Sequence, residues 1–369
     1  MPVPLMDPHS QYTSIRTEIR DAIDAVIDSG RFILGPKVKE CEATLAAAVG
    51  AAHGIGVANG TDALCIALRA LGVKPGDEVI SPSFTFYATG ESIAAIGAVP
   101  VFVDVDEQTF QIDPAAVETA ITERTTAIVA VHLFGHPAPM VELEAIAKKH
   151  GLILLEDAAQ AFGAAICTQR CGSFGDAATF SFFPTKNLPC FGDGGLITTN
   201  RSDVDDTSRI LRFHGSKDKV TFQQIGYNSR LDEIQAAIVL ELAKHVDGWN
   251  DGRIAVAARY AELGLGEHVG VPVVADSCRH IYHLYVVRTT ERDVIQAGLK
   301  ERGVASALYY TTPLHLQPVF AHLGYRAGSL PVTEQLSRES LALPMFATMT
   351  EEQGQEVVDA VAASVPARA

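Results

Sequence analysis

The chain has 369 residues, of which 47% are hydrophobic and 20% are charged, and its formal net charge is −15. A chain of this length holds two or three domains, or one large and one small domain. The negative charge repels phosphate backbones, so nucleic-acid binding is not expected. No stretch reaches the roughly 18 apolar residues of a membrane span, and residues 1–10 do not resemble a signal peptide. We therefore expect a cytoplasmic protein that does not enter a membrane.

The cysteine and histidine patterns do not predict a metal site. The six cysteines are scattered and form no CxxC pair, and no histidine pattern gives zinc spacing. Cys167 and Cys171 lie close together in the sequence, but two thiols alone are too few for such a site. We expect reduced thiols, as in most cytoplasmic proteins, and no bound metal.

Apolar segments alternate between helical and strand periodicity through the first 250 residues. Helices are predicted at 15–27 (ended by Gly30), 38–49, 61–71, 85–96, 114–121, 140–150 and 231–246. Strands are predicted at 54–58, 78–81, 99–103, 126–131, 152–155, 177–182 and 196–199. Strands that are apolar throughout and are separated by helices indicate a mostly parallel sheet with helices on both faces.

The regular alternation of predicted strands and helices ends after about Trp249. Strands are predicted at 282–288 and 304–308, and helices at 292–302, 334–341 and 351–362. The predicted fold class is therefore α/β, with a large domain at 1–248 and a smaller α+β domain at 249–369.

Lys186 follows the predicted strand at 177–182 and lies in a loop beside prolines. Ligands of open α/β sheets bind at the carboxyl ends of the strands, which is where this lysine falls. A partly desolvated lysine has a lowered pKa and can form a Schiff base with an aldehyde. Taken alone, a surface lysine in a loop is the more common explanation.

Two further motifs also fall at strand ends. Asp157, after the strand at 152–155, is suited to accept a hydrogen bond from a pyridinium nitrogen, although Asp is also a common helix N-cap. Gln160 follows one helical turn later and could reach a ring hydroxyl. Gly60 and Thr61 begin a helix whose amides favour a phosphate, although Asn-Gly alone also predicts a turn.

Two more positions complete the predicted site. Ser181 offers a second hydroxyl toward the same phosphate. Phe84 or Phe86 could lie flat on a cofactor ring, although a buried aromatic residue more often belongs to the core. Because all these residues follow strands of one sheet, we expect them to converge on one pocket.

These motifs, in this order, resemble the nucleotide-sugar aminotransferases of the DegT/StrS type, which are fold-type-I, aspartate aminotransferase-like enzymes dependent on pyridoxal phosphate (PLP). The resemblance extends over nearly the whole chain. Its matching segments are NGTDAL (59–64), SFTFYA (83–88), VHLFGHP (131–137), EDAAQ (156–160), FSFFPTKN (180–187), GDGG (192–195), GYNSRLDEIQAA (226–237), PLHLQPVF (313–320) and LPVTE (330–334).

The resemblance implies a role for each matching position. Lys186 would form the internal aldimine with PLP and Asp157 would pair with the pyridine nitrogen. The other implied cofactor contacts are Gln160 on the ring hydroxyl, Phe84 on the ring face, and Gly60, Thr61 and Ser181 on the phosphate. Asn228 would reach the phosphate of the neighbouring subunit, which implies a homodimer with shared active sites. A helix cap before Leu231 is the simpler explanation of Asn228.

The implied reaction is transfer of an amino group, from L-glutamate as the expected donor, to a nucleotide-linked keto sugar. It would follow ping-pong kinetics through pyridoxamine phosphate, with Lys186 as the general base. Relatives with His in place of this lysine are sugar dehydratases, so Lys186 favours transamination. A keto-cyclitol substrate, another PLP reaction, and a regulatory protein that kept the fold are the alternatives.

The substrate is left open by the sequence. The ketone lies at C3 or C4 of the sugar, and the nucleotide is TDP, UDP or GDP. Five residues are candidates for binding the nucleotide-sugar: Arg212, His214, Lys217, Tyr309 and His315. Antibiotic sugars and surface polysaccharides are both open as pathways.

Overall fold

The structure is a computed structural model that describes residues 2–366. Met1 and residues 367–369, at the two ends of the predicted domain ranges, lie outside the described residues. The strands of the described part are β1 (His53–Val57), β2 (Glu78–Pro82), β3 (Val99–Val103), β4 (Thr125–Val131), β5 (Ile153–Asp157), β6 (Ala165–Ile166), β7 (Gln169–Arg170), β8 (Ala177–Ser181), β9 (Gly195–Thr199), β10 (Cys278–Arg279), β11 (Tyr285–Arg288) and β12 (Ser340–Leu343).

Helices connect and cover these strands. The α-helices are α1 (Pro8–Tyr12), α2 (Arg16–Ser29), α3 (Pro36–Val49), α4 (Gly60–Ala70), α5 (Tyr87–Ala95), α6 (Pro114–Ala120), α7 (Met140–His150), α8 (Ser202–Leu211), α9 (Glu233–Ala243), α10 (Val246–Glu262), α11 (Arg292–Glu301), α12 (Pro331–Glu339) and α13 (Glu351–Ala362). Short 3₁₀ turns lie at Thr13–Ile15, Leu133–Gly135, Leu265–Glu267, Leu314–Leu316 and Pro318–Leu323.

A seven-stranded sheet forms the centre of the fold, in the order β1-β9-β8-β5-β4-β2-β3. Strands β3, β2, β4, β5 and β8 pair in parallel, whereas β9 is antiparallel to both β8 and β1. The prediction of a mostly parallel sheet is therefore confirmed. Since β9 alone runs in reverse, the carboxyl ends of the other six strands lie along the same edge.

Both faces of this sheet are buried, which explains why its strands are apolar throughout. In β4, Ala127 and Val129 pack into one apolar cluster with α4 and α5, while Ile128 and Ala130 pack into another with α6 and α7. A third cluster joins α3 and α9 to residues of β8 and β9. Helices therefore cover both faces of the sheet, as the sequence predicted.

The C-terminal elements have a core of their own around the two-stranded sheet β11-β12. Residues of α10, α11 and α13 pack against its apolar side chains. Helix α10 runs across positions 248 and 249, where the sequence predicted a domain boundary. That division therefore stays a proposal.

Several predicted elements differ from the structure. The predicted strand at 304–308 is wrong, because only single bridges form there, from Val304 to Val3 and from Ala307 to Ala342. The helix predicted at 334–341 ends earlier, and its last residues begin β12. The helix predicted at 231–246 is α9, which ends at Ala243; α10 begins at Val246 and was not predicted.

Helix α10 was missed because glycines interrupt its sequence. A β-carbon at Gly252 would lie 2.6 Å from the backbone oxygen of Ala347. Glycine is therefore needed at position 252 for the close approach of α10 to the backbone at Ala347. Glycine is also a poor helix former, so it weakens the helical pattern in the sequence. Within residues 2–366, no helix combines the length and the apolar character of a membrane span.

Candidate active site

The motifs predicted from the sequence meet at the carboxyl edge of the central sheet. A cavity of about 570 Å³ opens there. Its lining includes Asn59, Gly60, Thr61, Thr85, Phe86, Thr89, Asp157, Gln160, Ser181, Lys186, Asp193, His283, Tyr309 and Tyr310. A concave site of this size at the strand ends of an α/β sheet is the expected place for a small-molecule ligand.

Lys186 lies in the loop after β8, where its backbone amide donates a hydrogen bond to Phe183 (2.8 Å). No hydrogen bond to its Nζ occurs within the described part of the chain. Burial lowers the pKa of this amine from 10.5 to about 8, against the attraction of Asp157. A larger fraction of the amine is thus neutral and nucleophilic near neutral pH than in an ordinary lysine.

Asp157 ends β5 and is buried. Its Oδ2 accepts a hydrogen bond from the hydroxyl of Thr89 (2.9 Å), and its Oδ1 accepts one from the amide of Ala159 (3.2 Å). Burial raises the pKa of this carboxyl, while these donors and Lys186 act in the opposite direction. A positively charged ligand group would therefore find a fixed, poorly hydrated carboxylate here.

The turn from β1 into α4 forms a cradle of amide groups. Asn59 caps the helix, because its Oδ1 accepts a hydrogen bond from the amide of Asp62 (2.8 Å). A β-carbon at Gly60 would lie 2.8 Å from Cβ of Ser181, so only glycine allows β8 to come this close. The two predicted phosphate elements, the Gly60–Thr61 helix start and Ser181, are therefore neighbours in space.

Gln160 is held in a defined orientation at the cavity wall. Its Oε1 accepts a hydrogen bond from the amide of Phe134 (2.7 Å), and its Nε2 donates one to the hydroxyl of Tyr310 (3.2 Å). The amide nitrogen, a donor, therefore lies on the Tyr310 side, where both residues line the cavity. A ring oxygen of a ligand could be bound by this donor.

The two aromatic candidates lie in different environments. Phe84 is fully buried and packs against Phe110, Phe134 and Tyr310, away from the cavity lining. Phe86 is 56% exposed and lines the cavity. In a strand, two residues that are two positions apart would point the same way. Here β2 ends at Pro82 and the backbone bends at 83–85, so Phe84 and Phe86 point in different directions. The geometry therefore favours Phe86 over Phe84 as a stacking residue.

Arg212 is not at the cavity. It is buried and forms an ion pair with Glu42, and it also donates to the carbonyl oxygen of Gly56 (2.7 Å). Glu42 also pairs with Arg209 and accepts the amide of Gly56 (2.9 Å). The guanidinium of Arg212 is therefore used to join α8, α3 and β1, rather than to bind substrate within this subunit.

His214, Lys217 and Asn228 are exposed and do not line the cavity of their own chain. They belong to the segment at 213–228, whose ends are joined by a bridge between Phe213 and Asn228. Their predicted contacts could form only with a cavity in another subunit.

Of the remaining two substrate candidates, one lines the cavity and the other does not. Tyr309 lines the cavity. His315 is buried between two protein groups, with Nδ1 2.7 Å from the hydroxyl of Ser83 and Nε2 3.1 Å from Glu334. His315 thus connects the loop after β2 to α12, so its predicted substrate contact does not form within this subunit.

Sequence reasoning did not single out Thr89, His283, Tyr310 or Asp193, all of which line the cavity. Thr89 lies in the segment that follows the motif at 83–88, so its position one helical turn after Thr85 was the available signal. His283 and Tyr310 come from the C-terminal third of the chain, and no local pattern places them near β5.

A second buried polar group lies behind Asp157. His132, Glu156 and Cys171 place potential ligand atoms within 4.8 Å of one another. Both imidazole nitrogens of His132 already have partners, Glu156 (2.9 Å) and the amide of Ala138 (2.9 Å). These contacts connect the ends of β4 and β5, and they give the histidine a structural role.

The donor set of the cavity fits PLP. A helix start beside a hydroxyl suits its phosphate, a buried carboxylate suits its pyridinium nitrogen, and an amine with a lowered pKa suits its aldehyde. The tight approach of Gly60 to Ser181 leaves the cradle open to a ligand rather than filled by a side chain. This fold and site together define a PLP-dependent aminotransferase.

Comparisons with known proteins agree with this class. The model of the DegT/DnrJ/EryC1/StrS aminotransferase family matches residues 13–362. The chain is 52% identical to "Pleiotropic regulatory protein" of Geobacillus stearothermophilus, with 98% of each chain covered. It is 45% identical to a UDP-N-acetyl-3-dehydro-α-D-glucosamine 3-aminotransferase of Acidithiobacillus ferrooxidans (95% of each chain). It is 44% identical to a dTDP-3-amino-3,4,6-trideoxy-α-D-glucose transaminase of Streptomyces venezuelae (97% of this chain and 95% of that one).

Solved structures show the same similarity. Streptomyces venezuelae DesV, solved with a ketimine intermediate, has a TM-score of 0.95 at 44% identity, with 98% of this chain and 97% of that chain covered. Bacillus subtilis NtdA with bound cofactor PMP has a TM-score of 0.88 at 32% identity, with 96% and 82% covered. The chain belongs to the DegT/DnrJ/EryC1/StrS aminotransferase family, whose members are PLP-dependent sugar aminotransferases.

Proposed function

We propose that this enzyme transfers the amino group of L-glutamate to the C3 ketone of a nucleotide-linked sugar. The observation that carries the proposal is the meeting of Lys186, Asp157 and the α4 N-terminus in one cavity. The names of similar proteins support C3 over C4, because those proteins act on 3-keto or 3-amino sugars linked to UDP or dTDP. The choice between UDP and dTDP stays open, and so does the pathway.

Lys186 is proposed to bind the cofactor and to move protons. Bound PLP supplies an aldehyde for the amino group and a ring that takes up an electron pair. The Nζ atom of Lys186, once free, removes the proton from the α-carbon of the donor amino acid and holds it. A pKa of about 8 leaves part of the amine neutral near pH 7, as this step requires.

Other residues orient and shield the reacting groups. Asp157 holds a positive charge on the ring nitrogen, and Thr89 and Ala159 fix the orientation of that carboxylate. Gly60, Thr61 and Ser181 bind the phosphate, Gln160 binds the ring hydroxyl, and aromatic side chains exclude water from the ring face. Lys186 would pass the proton from the donor on to carbon C4′ of the cofactor. In the second half-reaction it would take a proton from C4′ and deliver it to the sugar carbon that carries the new amine.

We also propose a homodimer in which Asn228 reaches the partner's cofactor phosphate. The segment at 213–228 supports this, because Val220, Phe222 and Ile225 are exposed on it, with Ile225 at 85%. Apolar side chains clustered on a protruding segment are typical of a subunit interface. His214 and Lys217 would then contribute to the substrate site of the partner rather than to their own. The reaction is expected to take place in the cytoplasm.

Two other functions are alternatives to this proposal. A keto-cyclitol would use the same Lys186 and Asp157, so only the substrate distinguishes it. A regulatory protein would not need the catalytic groups, and the name of one relative, "Pleiotropic regulatory protein", raises that possibility. The cavity favours an enzyme, because a lysine whose pKa burial lowers, in the same cavity as a buried carboxylate, is the arrangement that PLP chemistry uses.

A substrate panel tests the proposal. The PLP-loaded protein is incubated with L-glutamate and UDP- or dTDP-linked 3-keto and 4-keto sugars, and with a keto-cyclitol. Product mass and NMR identify the aminated carbon. Amination of a 3-keto sugar, with release of 2-oxoglutarate, is expected. Amination of only the 4-keto sugars or only the cyclitol would overturn the proposed substrate, and inactivity of Lys186→Ala on the same substrate serves as the control.

A further inference from the structure

A second, smaller pocket lies beside the active-site cavity, and we call it the side pocket. It has a volume of about 60 Å³ and shares the lining residues Met6, Thr185 and Lys186 with that cavity. The polar residues on the rest of its lining are Asp7, Gln11, Tyr12 and Arg253. These four residues belong to none of the motifs that define the cofactor site, so the side pocket has no assigned role.

Arg253, on α10, is a buried cation without a carboxylate partner. The residue is only 4% exposed. Burial lowers the pKa of its guanidinium from 12.5 to about 10, so the group stays charged near neutral pH. It forms no ion pair with a carboxylate in the described part of the chain, and the ionisable group that acts on it is the hydroxyl of Tyr12. A buried charge in this condition is costly until an anion comes to balance it.

The hydrogen bonds of Arg253 use one of its three side-chain nitrogens. Nη1 donates to the carbonyl oxygens of Met345 (3.0 Å), Tyr282 (3.2 Å) and His283 (3.4 Å). A guanidinium has five N–H groups, of which three lie on Nε and Nη2. These two nitrogens donate to no acceptor within residues 2–366, and neither is among the enclosed atoms without a partner, so a ligand can reach them. The Nε–Nη2 edge is a planar fork that suits a carboxylate.

Gln11 and Tyr12 bring two more polar groups to the side pocket. Gln11 is 7% exposed, and neither side chain forms a hydrogen bond to another described residue. A buried amide without a partner is also costly. The carboxylate of Asp7 is used differently, because its Oδ1 accepts a hydrogen bond from the amide of Ser10 (3.0 Å) and caps α1. A positive charge and unused donors thus meet in one small space, which favours a small anion.

The size and the place of the side pocket restrict what that anion can be. A volume of about 60 Å³ has room for about four water-sized groups. This is enough for a carboxylate on a short carbon stem and too little for a sugar ring or a nucleotide. Lys186 lines both spaces, and the proposed reaction brings the amino group of the donor to this lysine. A carboxylate a few carbons away from that amino group can therefore extend into the side pocket.

We propose that the side pocket binds the distal carboxylate of the amino donor, through the Nε–Nη2 edge of Arg253 and the side-chain amide of Gln11. The side pocket would then select an acidic amino acid over a neutral one. This assignment rests on the amino-transfer reaction proposed above, and it names the residues that would make glutamate the donor.

The first test needs neither PLP nor a sugar. Glutarate carries two carboxylates with the spacing of those in glutamate, and glutaramide is its neutral analogue. The melting temperature of the PLP-free protein is measured against the concentration of each compound at constant ionic strength, and also with chloride and with phosphate. Glutarate should raise the melting temperature, whereas glutaramide should not. No response to glutarate, or an equal response to chloride or phosphate, would overturn the assignment.

Three variants show whether the response comes from the side pocket. Gln11→Glu places a carboxylate beside Arg253, so the glutarate concentration at half effect should rise by about tenfold or more. Arg253→Lys keeps a positive charge but lacks the fork, and it should also weaken the response. Gln108→Glu is the control, because Gln108 is exposed and lines neither space. With folding checked by circular dichroism, an undiminished response in Gln11→Glu, or an equal loss in Gln108→Glu, would refute the proposal.

The second test measures donor selection in the PLP-loaded protein. L-glutamate and L-glutamine differ in the charge of the distal group, and each is mixed with the protein in the absence of sugar. The single-turnover rate constant divided by the dissociation constant is read from the cofactor absorbance. The ratio of this quantity for glutamate to that for glutamine should fall by about tenfold or more in Gln11→Glu. An unchanged ratio would contradict the side-pocket assignment. A wild-type protein that reacts with neither amino acid would instead count against the proposed amino transfer, and the glutarate response would still report on the side pocket.

Discussion

Replacing Lys186 by methionine should stabilise the protein in the absence of PLP. The amine is placed where burial lowers its pKa from 10.5 to about 8. Between these values the unfolded chain binds more protons than the folded chain, so the stability of the wild-type protein rises with pH across that window. Below pH 8 the folded protein carries the full cost of holding a charged amine in the cavity.

The magnitude follows from the size of this shift. At about 1.4 kcal/mol per pH unit, a decrease from 10.5 to about 8 corresponds to about 3 kcal/mol. The attraction of Asp157 is already included, since it acts on the same pKa. Lys186 is partly accessible from the cavity, and water there screens the charge, so this figure is an upper bound. Methionine has a similar length and carries no charge.

Urea denaturation of the PLP-free wild type and of Lys186→Met, followed from pH 6 to pH 11, measures the difference. Lys186→Met is expected to have the larger free energy of unfolding at pH 7, by up to about 3 kcal/mol, and the two curves should converge above pH 10. A lower stability of Lys186→Met at pH 7, or a difference independent of pH, would refute the reasoning. Lys148→Met, at an exposed position of α7, is a matched control and should change neither the free energy of unfolding at pH 7 nor its dependence on pH.

Four other substitutions give three separate tests. Gly60→Ala places a β-carbon 2.8 Å from Cβ of Ser181 and should weaken PLP binding by about tenfold or more in an equilibrium titration; unchanged affinity would count against the cradle. Phe86→Ala should also reduce PLP affinity, because Phe86 lines the cavity. Phe84→Leu should mainly lower the melting temperature, because Phe84 is buried. The reverse pattern would identify Phe84 as the stacking residue. Arg212→Met leaves Glu42 with only Arg209 and the amide of Gly56 as partners, and it should cost about 1–3 kcal/mol of stability with little change in KM for the nucleotide-sugar. A large KM effect with normal stability would contradict the structural role of Arg212.

The sequence predicted the convergence of the site because that convergence follows from topology. Asp157 and Ser181 are the last residues of their strands, and the start of α4 follows β1. Parallel strands bring their carboxyl ends to one edge of the sheet. Antiparallel β9 does not change this arrangement of strand ends, because its first residue, Gly195, pairs with Ser181 at the same edge of the sheet. Periodicity and chain order were sufficient for this part of the fold.

The residues that sequence reasoning misplaced depend on tertiary contacts. Arg212 was a candidate for binding the nucleotide-sugar, but its partner Glu42 is 170 positions away. His315 was a candidate for the same role, yet Ser83 and Glu334 use both of its nitrogens. The direction of Phe84 depends on the bend of the backbone at 83–85, directly after β2 ends, and element boundaries are the least certain feature of a sequence prediction.

The missed helix α10 shows a different cause. Glycine at 252 weakens a helix locally, but here it permits the backbone of Ala347 to pack against the helix. A local propensity signal cannot include a contact with a segment nearly 100 residues later. His283 was missed for the same reason, because only the folded chain brings it to the cavity of Lys186.

The central claim is that Lys186 holds PLP covalently. The protein is incubated with PLP, reduced with borohydride and digested, and the modified peptide is located by mass spectrometry. A single modification at Lys186, absent from Lys186→Ala, is the predicted result. Modification at another lysine, or no modification after reduction of the PLP-incubated protein, would contradict the account.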